Sequence, residues 1–202
     1  MNKITIVMGN YFQNCEWEKE PIEWIVLREE EHRCLCVSKY LLDCKPYHDF
    51  SKNVAWQDCT LRNWLNHEFL VSAFSSEEQG KILLSTLKNP TGDSHDFIFL
   101  LSSDDVEELF DDEAENYVDY EERGAVTTDY ARAQGAWFLD EDGKDGNKGC
   151  WWLRYYGDYS DNEEGIYSFM SCVNFDGNIE WAAQDVAETG CCIRPAFWLR
   201  TD

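Results

Sequence analysis

In Pro21-Ile22-Glu23-Trp24-Ile25-Val26-Leu27, β-branched and aromatic residues crowd together, a composition that packs well on a pleated surface. This predicts a strand from Ile22 to Leu27. Arg33-Cys34-Leu35-Cys36-Val37-Ser38 predicts a second strand, with the acidic run Glu29 to Glu31 as the polar connection of a hairpin. The apolar start of the chain, up to Gly9, also reads as a strand. From Thr60 the spacing becomes helical, with Leu61, Trp64, Leu65 and Phe69 on one face and Thr60 as the expected N-cap. Ser75-Ser76-Glu77-Glu78 is a capping-box pattern and predicts a second helix leading into Ile82, Leu83 and Leu84. Phe97 to Leu101 predicts a buried strand. Shorter helices are expected from Asp104 to Phe110 and from Thr128 to Ala133, the latter stopped by Gly135.

Beyond Trp151 the helical spacing disappears, and short strands punctuated by Gly157, Gly165, Gly177 and Gly190 take over. Phe175-Asp176-Gly177-Asn178 signals a turn between Phe169 to Asn174 and Ile179 to Trp181. A strict two-residue turn would put Val173 and Ile179 on opposite faces, so a longer or bulged loop is expected. The order of elements predicts one α+β domain over residues 1–202, with the terminal Pro195 to Leu199 strand paired with the first.

Composition narrows the function classes. The chain has 40 acidic and 17 basic residues and a formal charge of -23, which repels phosphate backbones and anionic lipid; no nucleic-acid partner is expected. Eleven carboxylates lie between Asp104 and Glu122 without one Lys or Arg, a solvated face or a site for a cation or basic partner. No apolar run approaches the ~18 residues of a spanning helix, so no membrane insertion is expected. The apolar start is too short for a secretory signal, and nine cysteines are an odd number. These features predict reduced thiols and a cytoplasmic location.

Chemical motifs are sparse. Cys34-Leu35-Cys36 and Cys191-Cys192 lack the two-residue spacing that lets both thiolates reach one zinc, and His32, His48, His67 and His95 are scattered. No metal, cofactor or catalytic residue is expected from spacing, although a nucleophilic cysteine and a histidine could still meet in space. Asp140 to Asn147 alternates oxygen-bearing side chains with glycines as a calcium loop does, yet Lys144 stands where a ligand is needed and Trp151 stands where a bidentate Glu would be. A polar turn is the expectation there.

The segment from Trp151 to Trp181 differs in kind, with nine aromatics among small polar residues against 15% aromatics in the whole chain. Aromatics give large contact area at low entropic cost, and Asp, Asn and Ser adapt their hydrogen bonds, which is the chemistry of a binding surface. Trp151 and Trp152 are expected in the core.

Six blocks carry a family resemblance: Gly9-Asn10-Tyr11-Phe12-Gln13, Pro21-Ile22-Glu23-Trp24, Thr60-Leu61-Arg62-Asn63-Trp64-Leu65, Trp151-Trp152-Leu153-Arg154, Val173-Asn174-Phe175-Asp176-Gly177 and Ile193-Arg194-Pro195-Ala196. They resemble a widespread bacterial domain of unknown function. That family looks like a branch of the C-type lectin fold, in the variety shared with formylglycine-generating enzymes and the variable proteins of diversity-generating retroelements. The resemblance implies a calcium-independent lectin-like domain, not an enzyme, that displays a variable surface over residues 151–198 to a protein ligand or a glycan. Arg154, Gly177, Arg194 and Pro195 would be framework. The displayed set would be Tyr155, Tyr156, Asp158, Tyr159, Tyr167, Phe169, Ser171, Asn174, Phe175, Asn178, Glu180, Trp181, Gln184, Asp185 and Glu188. Two departures stand out: Tyr155-Tyr156 replace a frequent Ser-Pro, and Cys191-Cys192 flank the Ile-Arg-Pro block. The competing expectations are a cysteine- and copper-dependent oxidoreductase of the formylglycine-generating kind, against which Cys191-Cys192 does not match the paired copper cysteines, and a phage-derived structural or assembly protein.

Overall fold

Ile22, Trp24 and Val26 alternate inward along one extended segment, and the two-residue period of a strand puts all three in the core. A computed structural model describes residues 4–112, 117–118, 120–139, 146–155 and 168–202, with side chains except at 111, 112, 117, 118 and 120. Its two main sheets are built from β1 (Thr5–Phe12), β2 (Lys19–Glu30), β3 (Arg33–Ser38), β4 (Asp43–Cys44), β5 (Ile82–Leu83), β6 (Trp151–Trp152), β7 (Phe169–Val173), β8 (Ile179–Asp185), β9 (Cys192–Ile193) and β10 (Ala196–Arg200). The first sheet has the order β1-β2-β3-β10-β5 and the second β8-β7-β6-β9-β4. Every pairing is antiparallel except β6 with β9. The architecture is a strand-rich α+β fold with short helices.

The helices follow local rules. α1 (Thr60–Trp64) runs through a π-helical turn (Leu65–Phe69) into α2 (Leu70–Ala73), burying Leu61, Leu65 and Phe69. The N-cap is Cys59 rather than Thr60: the Cys59 Sγ accepts from the Arg62 amide at 3.3 Å, and Thr60 is bonded to Asp49 instead. α3 (Ser76–Gln79) carries the expected capping box from Ser75. It ends there, where a longer helix was expected, because the Ile82–Leu83 backbone joins the ladder of Leu199 and Trp198. α4 (Ser103–Phe110), α5 (Tyr120–Arg123) and α6 (Asp129–Ala133) complete the set, the last capped by Thr128 and stopped by Gly135 at φ 104°.

The β2–β3 hairpin forms as expected, with the strands running to Glu30 and the turn at Glu31 and His32. Phe97 to Leu101 forms no strand: Phe97 and Ile98 bend, and among the described residues the stretch makes a single bridge at Phe99, which exchanges two hydrogen bonds with Ala196. Ile98 to Leu101 are buried, whereas Phe97 is exposed. The expected pairing of the first and last strands does not occur. β10 lies between β3 and β5, with β2 and β3 separating it from β1, because its apolar residues complete the core beside Trp24. The Trp24 ring meets Phe197 edge-on at 4.6 Å and stacks on Phe74 at 5.9 Å, and its indole N–H donates to the Met8 carbonyl at 2.7 Å.

Residues 33–44 and 192–200 run side by side, antiparallel, through both sheets: Val37 pairs with Ala196 in the first and Cys44 with Cys192 in the second. Between those ladders lies Arg194, 1% exposed. Its guanidinium donates to the carbonyls of Ser38 (3.1 Å), Glu122 (3.3 Å) and Arg123 (2.9 Å) and sits over the rings of Trp151 (5.0 Å) and Phe110 (5.6 Å). Burial pulls its pKa down to about 10, so it remains charged at neutral pH. Only a planar fork of donors reaches three carbonyls at once while stacking on rings.

α3 is tied to the edge strand β1. Glu78 accepts from the Ser75 amide and hydroxyl with one oxygen and from the Gly9 amide (2.8 Å) with the other. Gly9 sits at φ +71° in a bulge of β1, and a Cβ there would lie 2.8 Å from the Ala73 carbonyl and the Phe74 ring. Burial pushes the Glu78 carboxyl up, but the bonds from Ser75 and Gly9 outweigh it and hold its pKa below the ordinary 4.5.

Two outcomes are expected in denaturant unfolding. Arg194→Met lowers stability by about 3 kcal/mol or more by orphaning buried carbonyls, and Arg194→Lys restores little of it. For Glu78 the folded-state pKa is depressed, so its contribution is complete above the unfolded value and is lost as pH falls through the folded one. Glu78→Gln therefore costs about 1 kcal/mol near neutral pH. The gap between wild type and variant closes as pH drops below 4.5.

Candidate functional site

The displayed set divides by position in the second sheet. Tyr156, Asp158, Tyr159 and Tyr167 lie outside the described residues, as does the Asp140 to Asp145 part of the calcium-like segment. Tyr155 and Ser171 are inside: Tyr155 is 8% exposed and Ser171 0%. The Tyr155 hydroxyl donates to Asp104 at 3.3 Å, and the neighbouring Arg154 donates to the Leu100 carbonyl and Asp105. Tyr155, Arg154, Asp104, Asp105, Lys88 and Trp198 line a cleft of about 300 Å³. Tyr155 packs inward because Tyr47 holds the chain at this point, its hydroxyl donating to the Arg154 carbonyl at 2.6 Å.

The β7–β8 hairpin carries the remainder. Val173 pairs with Ile179 across a longer loop, the arrangement expected from the face argument. Asn174 shapes that loop: its Oδ1 accepts from the amides of Asp176 and Asn178, and its Nδ2 donates to Glu180 at 2.9 Å. Gly177 takes φ 82° and Phe175 packs partly on the core. The loop polar groups thus serve the turn first.

Along β8 the pairing slips. Met170 faces Gln184 and Cys172 faces Glu180, so Trp181, Ala182 and Ala183 stand opposite Ser171 alone. Ala182 adopts φ 46°, held by its amide donating to the Ser171 hydroxyl at 3.2 Å. A bulge of this kind swings the edge strand off the sheet and re-aims its side chains. Trp181 is 43% exposed and Phe169, at the base of β7, 49%. Asn178 and Glu180 are exposed, and Gln184, Asp185 and Glu188 are half-buried.

Phe50, outside the displayed set, was not legible in the sequence as a contributor. Asp185, the cross-strand partner of Phe169, accepts from the Ser51 hydroxyl at 2.5 Å and from the Ala187 amide, bonds that hold its carboxyl below the usual range. Ser51 follows Phe50, which is 68% exposed. Phe50 and Phe169 thereby flank the Ser51–Asp185 link. Only an exposed phenylalanine in a polar stretch hinted at this, and its partner strand lies over a hundred residues away.

Beneath the hairpin lies a second constellation. Cys172 pairs with Trp152, and Cys192 with Trp151, so strand alternation turns Cys150, Cys172 and Cys191 to one face and Cys192 to the other. The Sγ atoms of Cys150, Cys172 and Cys191 all lie within 4.8 Å of one another, the Cys150 to Cys191 distance being 3.1 Å. None of the three is more than 3% exposed. Hydrogen bonds from Cys172 and then Cys191 pull the Cys150 thiol down to about 5 against burial, while the bond to Cys150 pushes Cys172 up to about 12. Two glycines make room for this. A Cβ on Gly190 would fall 2.2 Å from the Trp137 indole, and one on Gly149 would fall 2.5 Å from the Thr127 methyl. Near Cys191, the Trp137 amide donates to the Gly190 carbonyl at 2.8 Å.

The division of the display segment is testable by thermal and denaturant unfolding of single variants. Tyr155→Ala is expected to cost about 3 kcal/mol as a buried aromatic truncation. Phe169→Ala and Trp181→Ala are expected to stay within roughly 1 kcal/mol of wild type, as exposed positions do.

Comparison with known proteins gives one positive finding. Residues 31–201 match the family described as Domain of unknown function (DUF6273). The Gly9 to Gln13 and Pro21 to Trp24 blocks lie ahead of the matched region. No curated protein and no solved structure matches the chain. The match takes in both sheets apart from β1 and β2, the thiol cluster and the β7–β8 hairpin, and on that extent the chain belongs to the DUF6273 family.

Proposed function

We propose that this chain is a ligand-binding module of C-type-lectin-like architecture that contacts a protein partner through the β7–β8 hairpin and the adjoining Phe50–Ser51 segment. The observation that carries the reading is the exposure of Phe169 and Trp181 (49% and 43%) on a hairpin whose own base, Met170 to Val173, is buried, and of Phe50 (68%) on the segment that Ser51 ties to it. Rigid backbone beneath exposed aromatics lowers the entropic cost of binding, and such side chains act as anchors. Asp176, Glu180, Asp185 and Glu188 lie along the same hairpin and the turn after it, so a partner surface that is apolar with a neutral or basic rim fits it. Variation of these side chains between relatives, as the resemblance to retroelement variable proteins implies, is consistent with a hairpin whose exposed positions are not used by the core.

The oxidoreductase reading has the thiol cluster in its favour, but three sulfurs that are at most 3% exposed offer a substrate no approach. The module is therefore proposed to act by binding rather than by catalysis.

The test is affinity capture from lysate of the encoding organism, wild type against Phe50→Ala, Phe169→Ala and Trp181→Ala combined, quantified by mass spectrometry. A specific partner retained by wild type is expected to fall at least about tenfold with the triple variant, the loss of a single good anchor. Trp17→Ala, at a residue still more exposed (80%), is expected to retain it. Undiminished capture by the triple variant would rule this surface out.

A further inference from the structure

Three cysteines remote in sequence, one beside β6, one on β7 and one beside β9, converge on one face of the second sheet, while the adjacent Cys192 points away. We propose that Cys150, Cys172 and Cys191 form a three-thiolate site for one thiophilic closed-shell cation, Zn²⁺ or Cu⁺. A metal–sulfur bond of about 2.3 Å places three sulfurs around one ion up to about 4 Å apart. The Cys150 to Cys191 separation of 3.1 Å already lies inside that limit, and the others, within 4.8 Å, exceed it by less than about 1 Å, a distance that side-chain rotation can close. The donor set selects the ion: thiolates favour Cu⁺ and Zn²⁺, whereas Mg²⁺ and Ca²⁺ require oxygen ligands, and the cluster holds only sulfur. Each ligand gives up its thiol proton as the metal–sulfur bond forms, and no electron is transferred.

The site's burial sets its role. Sulfurs this deeply enclosed receive the ion while the chain folds, so the cation is a staple and its binding energy is folding energy. It would bind β7 to β6 and β9, fixing the base of the display hairpin to the strand that leads into Arg194. Gly149 and Gly190 allow Cys150 and Cys191 to approach by letting Thr127 and Trp137 pack where a Cβ would otherwise be. The inference is independent of what the hairpin contacts.

The experiment uses full-length protein, denatured, reduced and stripped with chelator, then refolded without metal, with Zn²⁺, with Cd²⁺ as its spectroscopic stand-in, or with Cu⁺ under anaerobic reductant. After gel filtration, about one ion per chain is expected, with a thiolate-to-metal charge-transfer band and, in mild denaturant, slower alkylation of Cys150, Cys172 and Cys191 than in the metal-free refold, since burial alone already shields them in the native state. Competition between the Zn²⁺ and Cu⁺ arms identifies the ion. Cys150→Ala, Cys172→Ala and Cys191→Ala are each expected to weaken binding more than about 100-fold, since even outer-shell changes cost 10- to 100-fold. Cys192→Ala, on the opposite face, is expected to bind as wild type does. Folded wild type that retains neither ion overturns the proposal, as does a retained ion that slows alkylation of other cysteines instead of these three relative to the metal-free refold, or that survives loss of Cys172. Should single variants fail to fold, the wild-type stoichiometry and alkylation map decide between these outcomes.

Discussion

The Arg194 guanidinium is buried where the chain passes from β9 of one sheet to β10 of the other, and it donates to the carbonyls of Ser38, Glu122 and Arg123. A buried charge is costly unless its hydrogen bonds are met. Here the acceptors come from the end of β3 and from α5, and the flat faces of the cation lie against Trp151 and Phe110. One side chain thus sets the spacing of both sheets, a helix and the core tryptophan of β6. The antiparallel run of residues 33–44 beside 192–200 has little freedom once that cation is seated, because both ladders share it as their hinge.

The remaining features of the second sheet follow from the same crossing. By placing β9 between β6 and β4, it brings Cys191 against Cys150 and points Cys192 toward Cys44, its register partner. β7 and β8 are added on the far side of β6, with β8 at the edge of the sheet among the described residues. An edge strand invites unwanted pairing, and a bulge is one way proteins blunt it. In β8 the bulge at Ala182 does this and exposes Trp181 as well. Protection of the edge and presentation of an aromatic are one geometric event. The hairpin's mechanical base is the buried row from Met170 to Val173, which carries the thiol of Cys172.

Much of the fold was legible from local chemistry. Ser75 and Thr128 cap the helices that their spacing announces, Gly135 stops α6 in a left-handed conformation, and the face argument at Val173 and Ile179 anticipates the longer loop. Where the reading failed, a distant partner had overridden a local preference. Ile82 and Leu83 continue a helical pattern but gain ladder bonds from Trp198 and Leu199, and the Cys59 sulfur takes the capping role while Thr60 turns to Asp49. Tyr155, in a segment of polar and aromatic residues that reads as surface, is drawn inside because Tyr47 and Asp104, more than fifty residues away, fix its backbone and hydroxyl.

The sequence by itself determined what neighbours within a few residues can enforce: the strand-rich α+β class, the caps of α3 and α6, the hairpin of β2 and β3, and the burial of Trp151 and Trp152. Hydrogen bonds and side-chain periodicity within one element act over that range. Only the tertiary structure decided the order of strands, the placement of β10 in the middle of its sheet, the Phe50 edge of the candidate surface and the meeting of three thiols. Each of these depends on pairing between segments far apart in the chain. That pairing is settled by which faces must be buried together and by how one buried cation's donors are satisfied, and neither is written in the spacing of any single segment.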